Sequence, residues 1–121
     1  MQNDVPLLKN KDIMVVPLPG RFNDSTLRQI EADLLVRSSG NNDLTGVILD
    51  VSGFECIDLF SARMLFNLTK KLALMDLDSV LVGLKPELAL TLVEMGLTTL
   101  NIETALCLEH GLQKLKQRKR K

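Results

Sequence analysis

The sequence predicts a single α/β domain with a mixed sheet of four or five strands and about four helices, mainly on one side of the sheet. Two apolar runs of strand length, Val47–Val51 and Val80–Leu84, are typical of parallel strands that are covered on both faces. Segments with apolar residues at helical spacing alternate with these runs, which favours a parallel centre for the sheet. A length of 121 residues suits one domain, with its core at about residues 5–116 and a basic tail at 117–121.

The predicted elements begin with a hairpin and then alternate between helices and strands. Strands are expected at Val5–Leu8, Ile13–Val16, Gly46–Val51, Ser79–Leu84 and Leu97–Leu100. Helices are expected from Ser25 to about Ser38, at Leu59–Leu74, from Pro86 to a stop at Gly96, and from Ile102 to about Lys116. The starts of the helices are indicated by capping or turn-forming residues, namely Asn23 or Asp24, Asp58, Pro86 and Asn101.

The residues expected to face the core follow the 3.6-residue period of a helix or anchor a loop. In the first two helices they are Leu27, Ile30, Leu34, Leu35, Ala62, Leu65, Phe66, Thr69 and Leu72. In the last two helices they are Leu88, Leu92, Val93, Met95, Ala105, Leu108, Leu112 and Leu115. Phe54 and Ile57 are expected to be buried in the loop that precedes the second helix.

The composition argues against several classes of partner. With 15 basic and 15 acidic residues the formal net charge is zero, which does not suit a dedicated polyanion binder. The chain has four Phe and neither Tyr nor Trp, which leaves few stacking platforms for single-stranded nucleic acid. Six basic side chains lie in Lys114–Lys121, and we interpret them as a solvated tail rather than a contact for nucleic acid or a membrane.

Cysteine use and the lack of targeting segments favour a cytoplasmic protein. No apolar run approaches the roughly 20 residues that span a bilayer. The first residues have neither the basic nor the apolar region of a secretion signal. Cys56 and Cys107 lie in apolar segments, and we expect both to be buried thiols in a reducing compartment.

The sequence does not indicate catalytic or metal-binding chemistry. Cys107 and His110 are three residues apart, but two ligands do not complete a tetrahedral metal site. The pair also lacks the orienting group that a Cys–His nucleophile needs. No glycine-rich phosphate loop is present, and Asp50 is interpreted as a hydrogen-bond acceptor at the end of a strand. We therefore predict a protein that binds other proteins, without a cofactor, a metal or an enzymatic activity.

Three stretches resemble the STAS domains of bacterial anti-sigma factor antagonists. Gly46–Phe60 (GVILDVSGFECIDLF) combines a buried strand, a loop and an aspartate at a helix start, in the order found in that family. Leu81–Gly96 (LVGLKPELALTLVEMG) is similar to the strand, Gly-hydrophobic-x-Pro step and helix of the stressosome STAS proteins. Ile102–Leu112 (IETALCLEHGL) is similar to their final segment. The resemblance covers about residues 5–116 and leaves no room for an N-terminal sensory domain, as in the small scaffold member of that family.

This resemblance implies a scaffold function. Such proteins co-assemble with STAS-domain sensor paralogues into a large homo- or hetero-oligomeric cytoplasmic complex, the stressosome, which holds a serine/threonine switch kinase. Under stress the kinase phosphorylates the scaffold and is released to trigger the downstream partner switch. By the same resemblance, the partner-binding residues of this chain are Asp58, Leu59, Phe60 and Ser61.

The phosphoacceptor position departs from the family pattern. The family has a serine directly after the aspartate, whereas this chain has Leu59, which cannot accept phosphate. The nearest hydroxyl is that of Ser61, and two helical steps of about 200° should point it away from the direction of residue 59. Three explanations are open. The substitution was engineered, the homologue signals without this phosphate, or Ser61 is the alternative phosphosite.

Three functional hypotheses follow. The first is the stressosome-type scaffold, and the second is a stand-alone anti-anti-sigma factor that binds a single switch kinase. The third is a small enzyme or nucleotide-binding domain, which lacks any catalytic constellation in the sequence. Under the first hypothesis we expect Leu59 to keep the chain in an unphosphorylated-like state with its partner bound. The alternative for Leu59 is that it packs on the loop at Phe54 or Ile57.

Overall fold

The structure is a computed structural model and describes residues 8–10, 12–20, 23–40, 44–55, 57–96 and 102–119. Its centre is a five-stranded sheet with the strands in chain order. The strands are β1 (Leu8–Asn10), β2 (Ile13–Pro17), β3 (Gly46–Asp50), β4 (Asp78–Val82) and β5 (Glu103–Ala105). The described sheet is parallel across β2 to β5 and antiparallel at the three-residue edge strand β1, so the parallel centre is as expected and the mixed character is confined to that edge.

In the part of the chain that the structure describes, four helices cover the sheet, as the sequence predicted. They are α1 (Asp24–Gly40), α2 (Leu59–Leu74), α3 (Pro86–Glu94) and α4 (Leu108–Lys119). Asn23 caps α1, since its Oδ1 atom accepts the backbone N–H of Thr26 at 2.8 Å. Within the described ranges, no helix combines the length and the apolar character that a membrane span requires.

Three helices pack on one face of the sheet and α4 on the other. Successive strand residues point to opposite faces, so in β3 Val47 and Leu49 contact the larger core while Ile48 belongs to the smaller one. The larger core receives buried leucines from α1, α2 and α3, such as Leu34, Leu65 and Leu92. The smaller core is closed by Leu115 of α4. The prediction of helices mainly on one side is therefore confirmed.

Gly111 allows α4 to lie close to the sheet. A Cβ atom at this position would be 2.8 Å from Cγ1 of Val82, closer than two carbon atoms pack. Lys114, further along α4, forms a 3.1 Å ion pair with Glu103 and donates to the carbonyl of Thr104. These contacts fix α4 against β4 and β5.

Three predicted core positions are wrong. Leu35, Val93 and Leu108 were expected to face inward, but they are 56%, 61% and 44% exposed. Leu35 follows the buried Leu34, and Val93 follows the buried Leu92. One step along a helix rotates a side chain by about 100°, and in α1 and α3 this step carries the second residue of each pair out of the buried side.

The C-terminal elements also differ from the prediction. The helix expected to begin at Ile102 begins at Leu108, because Glu103–Ala105 pairs with β4 as the fifth strand. The short strand and the helix cap expected at residues 97–101 lie outside the described residues. At its other end α4 continues to Lys119, into the segment that we expected to be a frayed tail.

Candidate functional site

The connection between β3 and α2 carries the residues that the sequence singled out. Asp50 ends β3, and its Oδ1 atom accepts the backbone N–H of Ser52 at 2.9 Å, which confirms the predicted strand-end hydrogen bond. Phe54 and Ile57 are buried in the larger core, also as predicted. Because these two side chains anchor the connection, the chain reaches the surface at Asp58 in a defined position.

Asp58 is the N-cap of α2. Its backbone is extended, with φ −100° and ψ 173°, and its Oδ1 atom accepts the backbone N–H of Ser61 at 2.7 Å. The backbone N–H of Ala62 donates to the Asp58 carbonyl at 2.9 Å and so makes the first helical hydrogen bond. The carboxylate thereby satisfies one of the backbone donors that a helix leaves unpaired in its first turn.

The same carboxylate also holds the hydroxyl of Ser61. That hydroxyl forms a side-chain hydrogen bond to Asp58 in addition to the one from the backbone N–H. Both bonds favour the charged carboxylate, so the Ser61 N–H first and its hydroxyl second hold the pKa of Asp58 below its ordinary value. The hydroxyl nearest to Leu59 is therefore already bound within the cap.

Two apolar side chains project from the first turn of α2. Leu59 is 42% exposed and Phe60 is 59% exposed, whereas Ser61 is half-buried. The buried stripe of α2 begins at Ala62 and continues through Leu65, so Leu59 and Phe60 precede it. The result is an apolar pair beside an exposed, negatively charged carboxylate.

The loops that follow β2, β3 and β4 support this surface. A Cβ atom on Gly20 would lie 2.8 Å from the carbonyl oxygen of Gly53, so the first two loops touch through glycine backbone. Gly83 has φ +79°, and a Cβ atom there would lie 2.8 Å from Cβ of Ser52. Ligands of parallel α/β sheets commonly bind at the carboxyl ends of the strands, which is where these loops lie.

Metal-binding and thiol chemistry have little support in the part of the chain that the structure describes. No group of three or more His, Cys, Asp or Glu side chains is arranged there to hold a metal ion. Nδ1 of His110 accepts the backbone N–H of Leu106 at 3.4 Å. Cys107 is a free and exposed thiol, so the prediction of burial is wrong for it. Its segment connects β5 to α4 instead of lying inside a helix, and Cys56 lies outside the described residues.

A second exposed apolar surface, which was not predicted from the sequence, lies at the other end of α2. Leu74, the last residue of α2, is 88% exposed beside a groove that α1 and α2 form together. The available indication was the run Leu34-Leu35-Val36, since three successive apolar residues cannot all face the core from one helix.

Comparisons with known proteins agree with this fold. The family model for the STAS domain matches residues 4–109. A serine-to-glutamate variant of RsbS from Moorella thermoacetica is 37% identical, with a TM-score of 0.81 and coverage of 98% of this chain and 99% of that chain. A chain in a structure of the stressosome, described as a signal integration and transduction hub, is also 37% identical, with a TM-score of 0.81 and coverage of 96% and 100%.

One curated relative is much longer than this chain. The RsbT co-antagonist protein RsbRD of Bacillus subtilis (strain 168) is 29% identical over 100 residues, which are 83% of this chain and 36% of that protein. This chain therefore spans about a third of the length of that relative. Since the family model covers most of the sequence and two solved structures match it over nearly its full length, the chain belongs to the STAS domain family.

Proposed function

We propose that this chain is a non-enzymatic stress-signalling scaffold of the stressosome type. In this function it co-assembles in the cytoplasm with STAS-domain sensor paralogues and sequesters a serine/threonine switch kinase. The likeness to RsbS and to a stressosome chain supports the assembly. The similarity to an RsbT co-antagonist supports a target shared with such paralogues. The observation that carries the proposal is the exposed Leu59–Phe60 pair beside the capping carboxylate of Asp58.

The chemistry of this surface suits a protein partner. Binding energy in protein interfaces concentrates on a few apolar or aromatic side chains that are surrounded by polar groups. Phe60 supplies an exposed aromatic ring, Leu59 extends its apolar area, and Asp58 supplies a charged edge. Since the cap fixes the first turn of α2, a partner would meet these side chains with little loss of conformational freedom.

Leu59 removes the phosphate switch from this surface. A phosphate on a serine at position 59 would add nearly two negative charges beside Asp58, and the positive end of α2 would offset part of the repulsion. Leucine offers no hydroxyl, and the Ser61 hydroxyl is half-buried and hydrogen-bonded to Asp58. In our proposal the chain therefore stays in an unphosphorylated-like state and keeps the kinase bound.

The proposal is tested by mixing the purified chain with a STAS sensor paralogue and the switch kinase, and by measuring masses with light scattering after size exclusion. We expect one large complex that contains all three proteins and persists after ATP is added. A simple pair of this chain with the kinase, without assembly with the paralogue, would support a stand-alone antagonist instead. Failure to bind the kinase in either mixture would refute the proposed function.

A further inference from the structure

Three exposed residues, Leu106, Cys107 and Leu108, connect β5 to α4 and begin α4. Leu106 is 84% exposed and Leu108 is 44% exposed, so this segment presents two leucine side chains to solvent. Neither leucine belongs to the two cores that the described residues form. We call the segment the Leu106–Leu108 projection. It is an apolar surface to which the proposed function has so far assigned no role.

The projection lies at the same edge of the sheet as the Leu59–Phe60 pair. β3, β4 and β5 run parallel, and the last residues of β3 and β5, Asp50 and Ala105, are both register partners of Val82. Adjacent strands are about 4.8 Å apart, so this row of strand ends spans about 10 Å. Asp50 leads into the connection to α2, whereas Ala105 leads directly into Leu106. Since α2 packs on β4, the strand beside β5, its first turn lies near the projection.

Backbone contacts fix the projection relative to the start of α2. The N–H of Gly83 donates to the carbonyl of Ala105 at 3.3 Å, which joins the ends of β4 and β5. A Cβ atom on Gly83 would in turn lie 2.8 Å from Cβ of Ser52, in the connection between β3 and α2. On the other side, the N–H of Leu106 donates to Nδ1 of His110 at 3.4 Å. The three connections therefore form one supported surface.

The Leu59–Phe60 pair is too small to hold a protein partner by itself. A buried aromatic side chain covers at most about 250 Å². Even with Leu59 added, the pair supplies well below the roughly 800 Å² that a specific complex buries on each partner. A partner seated on the pair must therefore also cover neighbouring surface. The projection is an exposed apolar part of the same edge.

The edge that carries the pair and the projection is mainly acidic. In the described connections that follow β3, β4 and β5, and in the first helical turns after them, four carboxylates accompany one lysine. The carboxylates are Glu55, Asp58, Glu87 and Glu109, and the lysine is Lys85. Charged groups across an interface are arranged with complementary sign. A partner that fits this edge therefore has apolar recesses with a basic rim.

We propose that the Leu106–Leu108 projection is a second contact for the switch kinase, which covers Leu106 and Phe60 together and places basic residues against the acidic edge between them. This inference rests on the proposed function and deepens it, because it defines the surface that the kinase covers. Both contacts are held by backbone hydrogen bonds, so little conformational freedom is lost on binding. Leu74, about 22 Å away from the Leu59–Phe60 pair along α2, lies outside this surface.

Cys107 allows a test on the unaltered chain. Its thiol is free and exposed, and it lies between the two leucines of the projection. The rate of its alkylation by N-ethylmaleimide is measured by peptide mass spectrometry, with and without a saturating concentration of the kinase. We expect the bound kinase to slow this alkylation by at least about tenfold, because the centre of an interface excludes solvent. An unchanged rate in the complex would overturn the inference.

Substitutions give a second, independent test. Leu106→Glu should weaken kinase binding by at least about tenfold, since it places a charge in an apolar contact. Leu74→Glu is the matched control, because Leu74 is 88% exposed at the other end of α2, and it should bind like the wild type. Glu109→Lys should slow association with the kinase, since it reverses one charge of the acidic edge. Isothermal titration calorimetry measures the affinities, stopped-flow mixing measures the association rate, and thermal melting verifies that the variants fold.

The inference and the proposed function fail in different ways. If Leu106→Glu binds the kinase like the wild type, or if Leu74→Glu is equally impaired, the second contact is refuted. Association of Glu109→Lys as fast as that of the wild type would refute the basic rim. In each of these cases the proposed function stands as long as the wild type binds the kinase. A wild-type chain that does not bind the kinase would refute the proposed function itself.

Discussion

Oδ1 of Asp58 accepts the backbone N–H of Ser61 at 2.7 Å, and the hydroxyl of Ser61 binds the same carboxylate. One aspartate therefore starts α2 and also engages the hydroxyl nearest to residue 59. Leu59 and Phe60 lie between these two residues in the chain. The cap consequently fixes the turn that presents the apolar pair.

Removal of the cap should destabilise the fold. Asp58→Ala leaves the Ser61 N–H without its acceptor, and we expect Tm to fall by about 3–6 °C. Asp58→Asn is the matched control, because its amide oxygen can still accept that hydrogen bond, and it should lose much less. Thermal melting by circular dichroism distinguishes them, and an unchanged Tm for the alanine variant would show that α2 does not depend on this cap.

The lowered pKa of Asp58 predicts a direction for the pH dependence of stability. Its hydrogen-bonded carboxylate stabilises the folded chain at pH values above the unfolded-state pKa of about 4, and this stabilisation is lost as the pH falls through the lower folded-state pKa. The Tm advantage of the wild type over Asp58→Asn should therefore shrink between about pH 7 and pH 3. A Tm difference between the wild type and Asp58→Asn that grows as the pH falls would contradict the lowered pKa of Asp58.

Phosphate incorporation should depend on a hydroxyl at position 59. Incubation of the chain with its switch kinase and ATP should give no phosphate at Ser61, whose hydroxyl is bound to Asp58. Leu59→Ser should gain phosphate at residue 59 and then release the kinase. Mass-spectrometric mapping measures both outcomes, and stoichiometric phosphate on Ser61 of the unmodified chain would refute the locked state.

Phe60 should contribute to kinase binding but not to folding. Phe60→Ala removes an exposed aromatic ring, so we expect kinase affinity to fall by about tenfold or more. The free energy of unfolding should change by less than about 0.5 kcal/mol. Leu90→Ala on α3 is the matched control, since Leu90 and Phe60 are each 59% exposed. Isothermal titration calorimetry measures the affinity of both variants for the kinase. Equal affinities would argue against a kinase contact at Phe60.

The contact between Gly83 and Ser52 should make Gly83 intolerant of a side chain. Gly83→Ala adds a Cβ atom 2.8 Å from Cβ of Ser52 at φ +79°, and we expect a loss of about 2–4 kcal/mol in the free energy of unfolding. Gly96→Ala is the control, because its φ is +81° but, among the described residues other than its chain neighbours, no atom would lie within 4 Å of the added Cβ, so only about 1 kcal/mol should be lost. Urea denaturation measures the free energy of unfolding of both variants. Equal losses at Gly83 and Gly96 would show that the contact with Ser52 is unimportant.

Local patterns in the sequence determined much of the fold and of the candidate site. The predicted helix Leu59–Leu74 coincides with α2, and its predicted cap Asp58 makes the expected hydrogen bond. Both features depend on residues close together in the chain, namely a capping oxygen followed by apolar side chains at helical spacing. The runs that became β3 and β4 were recognisable for a similar reason, since a strand covered on both faces is apolar at nearly every position.

Tertiary structure alone decided which apolar side chains are covered. Leu34 is buried and Leu35 exposed because α1 turns one side towards the sheet, and the sequence offers two adjacent leucines for that side. Glu103–Ala105 became a strand because β4 supplies its hydrogen-bond partners, which left Cys107 exposed in the connection to α4. The groove beside Leu74 likewise needs residues of α1 and α2 that are far apart in the chain. Local spacing cannot determine such features, because burial depends on which distant element packs over each side chain.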